Sequence, residues 1–395
     1  MENSIFSDRI NDVPRSFIRD ILKVAVDESI ISFAGGLPNR DLFPVEEIKT
    51  AAVNVLEKNG KGSLQYAASE GFYPLRQYIK DWYKRKKNLD IPVKNILITS
   101  GSQQGLDLLG KVLLNDNEEL VIEAPGYLGA IQAFSMYRPA FIPVSLQNDG
   151  INISEFEAVM KKRNPKLIYM VPNFQNPSGI TYSQEKRKEI TEIVRKNNAI
   201  IVEDDPYGEL RFEGDPLTGF GNLLPEQSVL LGTFSKTVAP ALRIGWIVAP
   251  DYIMDKLIVA KQAADLHTNS FAQMILHEYL SLYNPENHIR KIREVYGKQS
   301  KAMQDSIKKY FPDSVKVTQP KGGMFLWATL PENISSMKLF EEAIKEKVAF
   351  VPGHPFYINK TESNDMRLNF SCVDEATINV GIQKLANSIN KILKK

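Results

Sequence analysis

The sequence predicts an α/β protein: a mostly parallel, doubly wound sheet followed by a smaller α+β unit. Two observations carry this. Six short apolar, β-branched runs recur through the middle of the chain, with helical stretches between several of them. After about Pro285 the texture changes to a long charged helical stretch, then to short strand-like pieces mixed with helices. Strands apolar on both faces belong in a sheet covered by helices on both sides, and alternation with helices makes that sheet largely parallel.

The elements follow in order. Residues 1–45 form an N-terminal arm and a segment expected to pack on the small domain. Residues 46–285 form the large domain. Its strands are expected at 96–99, 120–123, 167–171, 199–203, 229–232 and 245–248, with a helical pattern at 184–196. Residues 286–395 form the small domain. A helix is expected from Glu286 towards Tyr310, with strand pieces at 315–318, 324–327 and 366–370 and helices at 338–347 and 375–391. No repeat, low-complexity tract or flexible linker interrupts the chain.

Composition narrows the function. At 395 residues the chain can bury a large core. Its 49 basic and 47 acidic residues leave a net charge of +2, too little for a general field that draws nucleic acid or an anionic membrane. The basic run Lys84-Arg85-Lys86-Lys87 reads as a solvated helix face. Cys372 is the one cysteine, so no intrachain disulfide is possible. The polar start lacks the charged and apolar regions of a secretion signal, and no apolar run reaches membrane-spanning length. The four histidines show no metal-ligand spacing, so no metal is expected. A cytoplasmic protein is the expectation.

In such a sheet, function gathers at the carboxyl ends of the strands. Lys236 lies just past the run 229–232, in Thr233-Phe234-Ser235-Lys236. Burial there favours a neutral amine, which can form a Schiff base with an aldehyde. The hydroxyls of Thr233 and Ser235 and the guanidinium of Arg243 suit a phosphate monoester. Pyridoxal phosphate carries both groups.

Other strand ends fit the same group. Gly101-Ser102-Gln103 opens a helix after the first strand, where free N–H groups can bind an anion; a plain serine cap is the bland alternative. Tyr127, after the second strand, can stack on a flat ring, or simply pack on the core edge. Asn176, in Pro172-Asn173-Phe174-Gln175-Asn176-Pro177-Ser178-Gly179, can donate to a ring oxygen from a turn. Glu203-Asp204-Asp205 puts three acids at the next strand end. One of them needs solvent or a fixed positive charge, and a protonated pyridine nitrogen is such a charge. Tyr207 follows three residues after Asp204. Each segment alone also reads as an ordinary cap or turn. It is their order at successive strand ends that points to a cofactor.

This constellation resembles the fold-type I pyridoxal-phosphate-dependent aminotransferases of class I/II, over nearly the whole chain. The branch it resembles is that of the 2-aminoadipate and kynurenine aminotransferases. The signature residues are Ile-Ser-Phe-Ala-Gly-Gly-Leu-Pro at 31–38 with Leu42-Phe43-Pro44, Leu64-Gln65-Tyr66 with Gly71 and Leu75-Arg76, the segment from Pro172 to Gly179, Ala264-Asp265-Leu266-His267-Thr268, and Lys321-Gly322-Gly323-Met324-Phe325. The resemblance implies a pyridoxal phosphate cofactor on Lys236. Asp204 would pair with the pyridine nitrogen, Asn176 and Tyr207 would bind the ring oxygen, and Tyr127 would stack on the ring. Ser102, Gln103, Thr233, Ser235 and Arg243 would hold the phosphate.

For substrate, the resemblance assigns Arg367 to the α-carboxylate, where a bidentate fork suits the task, with the Gly36 backbone beside it. Tyr66 matches a residue that reaches the neighbouring subunit's site, implying a homodimer. Arg19, in Ser16-Phe17-Ile18-Arg19, matches a residue linked to side-chain recognition. The expected reaction passes the amino group of an amino acid (2-aminoadipate, glutamate, aromatic or leucine-like) to a 2-oxo acid such as 2-oxoglutarate. The same fold hosts β-lyases and decarboxylases. It also occurs in regulators fused to a winged-helix domain, for which the roughly thirty residues before Ala34-Gly35-Gly36 are too few.

Overall fold

A computed structural model describes residues 5–11, 13, 27 and 29–394. Arg19, with Phe17, Ile18 and Leu22, lies outside the described residues.

The strands in chain order are β1 (Ile31–Ser32), β2 (Ile96–Thr99), β3 (Glu119–Ala124), β4 (Ala140–Gln147), β5 (Gly150–Ile151), β6 (Leu167–Met170), β7 (Ile200–Asp204), β8 (Ser228–Thr233), β9 (Gly245–Val248), β10 (Lys316–Val317), β11 (Phe325–Thr329), β12 (Val348–Ala349), β13 (Val351–Pro352) and β14 (Asp365–Asn369). Eight of them form one sheet in the order β2-β9-β8-β7-β6-β3-β4-β5. The run from β8 to β4 is parallel. β9 is antiparallel to both neighbours, and β5 is antiparallel to β4. All six expected strands are present, within a residue of their expected ends.

Successive side chains on a strand point to opposite faces, and the core divides accordingly. Leu120, Ile122, Leu167, Tyr169, Val202, Val229 and Leu231 pack into one cluster. Val121, Ile168, Met170 and Ile201 join a second, and Leu230, Trp246 and Val248 a third. This is why the central strands read as unbroken apolar runs: both faces are covered.

β4 went unrecognised for the converse reason. Only Val144 of its eight residues is fully buried, and it contains Pro143. Only Leu146 and Gln147 pair with β5, so Pro143 stands on an open edge, where a missing N–H is tolerated.

Beyond the helix Pro285–Tyr310, β10, β11, β14 and β13 make a four-stranded antiparallel sheet. The helix Glu375–Leu393 packs along Pro285–Tyr310. β1 pairs in parallel with β12, and Asn369 N donates to Phe33 O at 2.9 Å. Ala34 and Gly36 are thereby carried to β14, the strand of Arg367.

The basic run differs from its expectation. Lys86 and Lys87 turn inward from the helix Tyr73–Lys87, to Glu286 at 2.6 Å and Asp205 at 3.1 Å. Only the Lys84 and Arg85 end remains solvated.

Candidate active site

The sheet register gathers the sequence-derived residues. Thr99, Gly245 and Thr233 lie side by side across β2, β9 and β8. Because β9 runs antiparallel, its beginning shares an edge with the ends of β2 and β8. Arg243, at the end of the β8–β9 connection that begins with Lys236, is therefore brought beside the Gly101-Ser102 turn that follows β2.

At this edge the backbone makes a cup. Gly101 caps the helix Ser102–Leu113 with φ +77°, leaving the first helical N–H groups facing outward. A Cβ on Gly101 would lie 2.7 Å from Arg243 Nη2, and one on Gly245 would lie 2.7 Å from Ser102 N. Glycine is required at both. Arg243 donates to Ser100 O at 3.3 Å and Pro240 O at 3.4 Å. Thr233 Oγ1 donates to Ser235 Oγ at 2.9 Å and accepts from Ser235 N at 3.1 Å, so that hydroxyl shapes the turn. Gln103 Nε2 donates to Gly129 O at 2.8 Å. The Tyr127 ring lies over Gly129, so close that a Cβ there would meet its hydroxyl at 2.6 Å.

Deeper in, the site is dry and charged. Asp204 is 2% exposed. Its Oδ2 accepts from Tyr169 OH at 2.7 Å, and its Oδ1 is buried without a partner. Burial raises its pKa to about 7, against the Tyr169 hydrogen bond, with Asp205 and Glu123 adding repulsion. Its neighbours are engaged elsewhere. Glu203 accepts from Phe220 N at 2.7 Å, and Asp205 pairs with Lys87 and accepts from Gly208 N at 2.8 Å.

Lys236 Nζ donates to Gly36 O at 3.0 Å. Burial lowers its pKa to about 8, and Arg367 and Arg243 push the same way. Tyr127 is raised to about 12 by burial and by Asp204. Tyr207 is raised by burial, and its hydroxyl is hydrogen-bonded to the Asn176 side chain.

Arg367 is held from several sides. Nη1 donates to Asn176 Oδ1 at 2.9 Å and Nη2 to Ala34 O at 2.8 Å, while Nε is buried without a partner. The guanidinium lies 4.5 Å from the Phe325 ring and 5.3 Å from that of Phe356. Gly36 faces both terminal nitrogens. Burial lowers the Arg367 pKa to about 10.

Tyr66 stands apart. Its side chain is 80% exposed and makes a T-shaped contact with the His267 ring, at 5.8 Å. Sequence reasoning missed Tyr169, Phe325 and Phe356. Tyr169 carried a signal: it is the one hydroxyl in a wholly buried strand, and a buried phenol needs a partner. The two phenylalanines carried none, since aromatic residues fill cores everywhere.

The arrangement fits pyridoxal phosphate on the structure's own terms. Asp204 offers an unpaired buried oxygen to a cationic ring nitrogen. Lys236 offers an amine close to neutrality. The glycine-lined cup between Ser102 and Arg243 offers donors to a phosphate.

Comparison with known proteins gives the same answer. Residues 29–385 match the family model described as aminotransferase class I and II. The chain is 42% identical to aromatic-amino-acid aminotransferase 1 of Thermococcus litoralis, over 99% of this chain and 95% of that one. The kynurenine aminotransferase of Pyrococcus horikoshii superposes with a TM-score of 0.95 at 42% identity, covering 100% of this chain and 99% of the other. The α-aminoadipate aminotransferase of Thermus thermophilus, solved with N-(5′-phosphopyridoxyl)-L-leucine, superposes with a TM-score of 0.93 at 37% identity and the same coverage. The chain belongs to the class I and II aminotransferases and is a pyridoxal-phosphate-dependent enzyme.

Proposed function

We propose that this aminotransferase takes its amino group from acidic, aromatic or leucine-like α-amino acids and passes it to a 2-oxo acid, with 2-oxoglutarate the usual acceptor. The observation that carries the reading is Arg367. A buried guanidinium with an unpartnered Nε, beside a glycine and between two aromatic rings, suits a carboxylate on a flat, partly apolar substrate. An α-carboxylate is common to every amino acid, so this clamp sets no side-chain preference. The aromatic and aminoadipate relatives, the latter solved with a leucine derivative, support a broad one.

Bound pyridoxal phosphate supplies an aldehyde that captures amines and a cationic ring that accepts an electron pair from the substrate α-carbon. The chain's residues do the rest. Ser102, Gln103, Thr233, Ser235 and Arg243 hold the phosphate. Asp204 keeps the ring nitrogen protonated, and Tyr169 fixes the orientation of its carboxylate. Asn176 and Tyr207 bind the ring oxygen, and Tyr127 covers the ring face. Lys236 first holds the cofactor. With cofactor and substrate bound, its neutral Nζ would serve as the base that takes the substrate α-proton and as the acid that gives it back. Arg367 and the Gly36 backbone hold the carboxylate so that the α-proton faces Lys236.

We infer a homodimer in the cytoplasm, with Tyr66 entering the partner's site. Support comes from exposed apolar side chains: Tyr66 itself, Leu64 two residues before it, and Leu266, next to the His267 that Tyr66 meets. Clustered exposed apolar side chains mark interfaces.

Single-turnover reactions with glutamate, 2-aminoadipate, phenylalanine and leucine, followed by cofactor absorbance, test the reading. All four should react. Arg19→Ala should weaken the dicarboxylic substrates more than the apolar ones, by about 1–3 kcal/mol for a lost charged hydrogen bond. Equal losses for both classes would make Arg19 structural.

A further inference from the structure

Lys261 is a lysine with a completely buried side chain, outside the catalytic set. It lies on the helix Asp251–Asp265, four residues before Asp265. All three of its protons are used. Nζ donates to Asp265 at 2.6 Å, to Gln104 Oε1 at 2.7 Å and to Thr268 Oγ1 at 2.8 Å. A buried ammonium is costly unless fully paired, so this one ties three pieces of chain together.

The first piece is the phosphate-facing turn. Gln104 Oε1, which accepts from Lys261, also accepts from Ser100 N at 2.8 Å. Gln104 Nε2 donates to Asp265 Oδ2 at 2.7 Å, and Ser100 Oγ reaches the same oxygen at 3.3 Å. Ser100 is thus held by both its N–H and its hydroxyl. Its carbonyl is left for Arg243, and Gly101 and Ser102 face the cup.

The second piece is the turn after the helix. The Thr268 carbonyl accepts from Gln273 Nε2 at 2.9 Å and contacts His267 Nδ1 at 3.0 Å. The third is the exposed segment around Tyr66. Ala67 N donates to His267 Nε2 at 3.2 Å, which makes Nδ1 the protonated nitrogen of that ring and so the donor to Thr268 O. Gln273 Oε1 accepts from Phe72 N at 2.7 Å, and the Tyr66 ring meets the His267 edge.

We propose that Lys261 is a positioning residue that couples cofactor binding to subunit pairing. It does so by joining the phosphate-facing turn at Ser100 to the Thr268–His267 turn that presents Tyr66. The inference rests on the reading of Ser102 and Arg243 as phosphate ligands and of Tyr66 as a partner-facing residue. A phosphate that orders residues 100–102 also orders residues 265–268, and with them the pairing surface. Linkage makes the effect reciprocal: pairing should tighten cofactor binding by the factor by which cofactor tightens pairing.

The test measures two quantities in the full-length protein. One is the pyridoxal phosphate dissociation constant, by absorbance. The other is the dimer dissociation constant, by sedimentation, with and without cofactor. In the wild type, cofactor should tighten the dimer by about 5- to 150-fold, the usual range of such couplings. In Lys261→Met that factor should shrink, short of one because Tyr66 still enters the partner's site, and cofactor affinity should drop by at least about fivefold. Turnover at saturating cofactor should change far less, because Lys261 touches no reacting atom.

Thr268→Val and Thr268→Ser cover a Lys261→Met protein that fails to fold. Valine should shrink the coupling and serine should keep it. A merely structural Lys261 would weaken the dimer equally with and without cofactor, and that result overturns the proposal. A wild-type holoenzyme that stays monomeric, or an Arg243→Ala protein with unchanged cofactor affinity, would instead overturn the readings on which it rests, and the proposal with them.

Discussion

Two acid and lysine sets lie on opposite sides of β7 and β8, and they are treated in opposite ways. Behind the sheet, Asp205 and Lys87 meet at 3.1 Å. Burial opposes charge on both, yet their attraction wins: Asp205 is lowered and Lys87 raised. On the site face, Asp204 and Lys236 do not meet. Burial raises Asp204 to about 7 and lowers Lys236 to about 8, where the Cys372 thiol offsets the burial only in part. One face has spent its charges on folding. The other holds them unpaired and near neutrality, the condition in which a carboxylate can take a cation and an amine can attack an aldehyde. Adjacent positions in the sequence reach these two ends because side chains on a strand alternate faces.

The largest effect should come from exchanging roles within the acid pair. Asp204→Asn keeps the shape and the Tyr169 contact but cannot hold a ring proton. Turnover should fall by about 10²–10³-fold, the scale of removing one preorganised charge stabiliser. The fold should be unharmed. Asp205→Asn should leave turnover within an order of magnitude of the wild type. It should cost about 3 kcal/mol of stability, since it strands Lys87 without its partner. Steady-state kinetics and urea unfolding on both proteins separate the two losses. If Asp205→Asn proved the slower enzyme, the comparison would be inverted.

The lysines should separate next. Capture of aldehyde needs the neutral amine. In the cofactor-free enzyme, the rate of cofactor capture should rise about tenfold per pH unit up to about pH 8 and then level off. A lysine of ordinary pKa, about 10.4, would keep rising past pH 9. Borohydride should fix the cofactor on Lys236 and leave Lys87 unlabelled, because its amine is held charged by Asp205. Stopped-flow absorbance and peptide mapping give both readings.

Much of this was legible in the sequence, and the remainder was hidden for definite physical reasons. The central strands announced themselves because both faces are apolar. The candidate site residues were sought at strand ends because connections there carry function, and the fold brings most of them to one edge of the sheet. The triplet Glu203-Asp204-Asp205 gave no such guidance about partners. Only the fold brings Tyr169 from the next strand and Lys87 from a helix far back in the chain, and it shows the acids dispersed rather than clustered. The basic run at 84–87 misled for the same reason: a lysine at a helix end reads as solvated until a buried carboxylate appears opposite it. Lys261 was invisible as well. A lone lysine on a helix shows nothing of its burial until Gln104 and Thr268 arrive from distant segments.

The most gradual effect should be on the stability of the cofactor-free enzyme. In the unfolded chain the Asp204 carboxyl ionises near pH 4. In the folded chain it keeps its proton until about pH 7. Between those values the folded state binds more protons, so this group's contribution to stability falls as pH rises through the window and is flat above it. Each pH unit can weigh at most about 1.4 kcal/mol. Asparagine has no proton to lose. Asp204→Asn should therefore match the wild type near pH 4, gain on it up to pH 7 and hold a constant lead above. Glu123, also raised to about 7 by burial, is present and titrates in both proteins. Binding of the cofactor should erase the lead, because its ring cation then rewards the ionised carboxylate. A gap between the two cofactor-free proteins that stayed level from pH 4 to 8 would mean that Asp204 already has a charge partner, and its contrast with Asp205 would be lost.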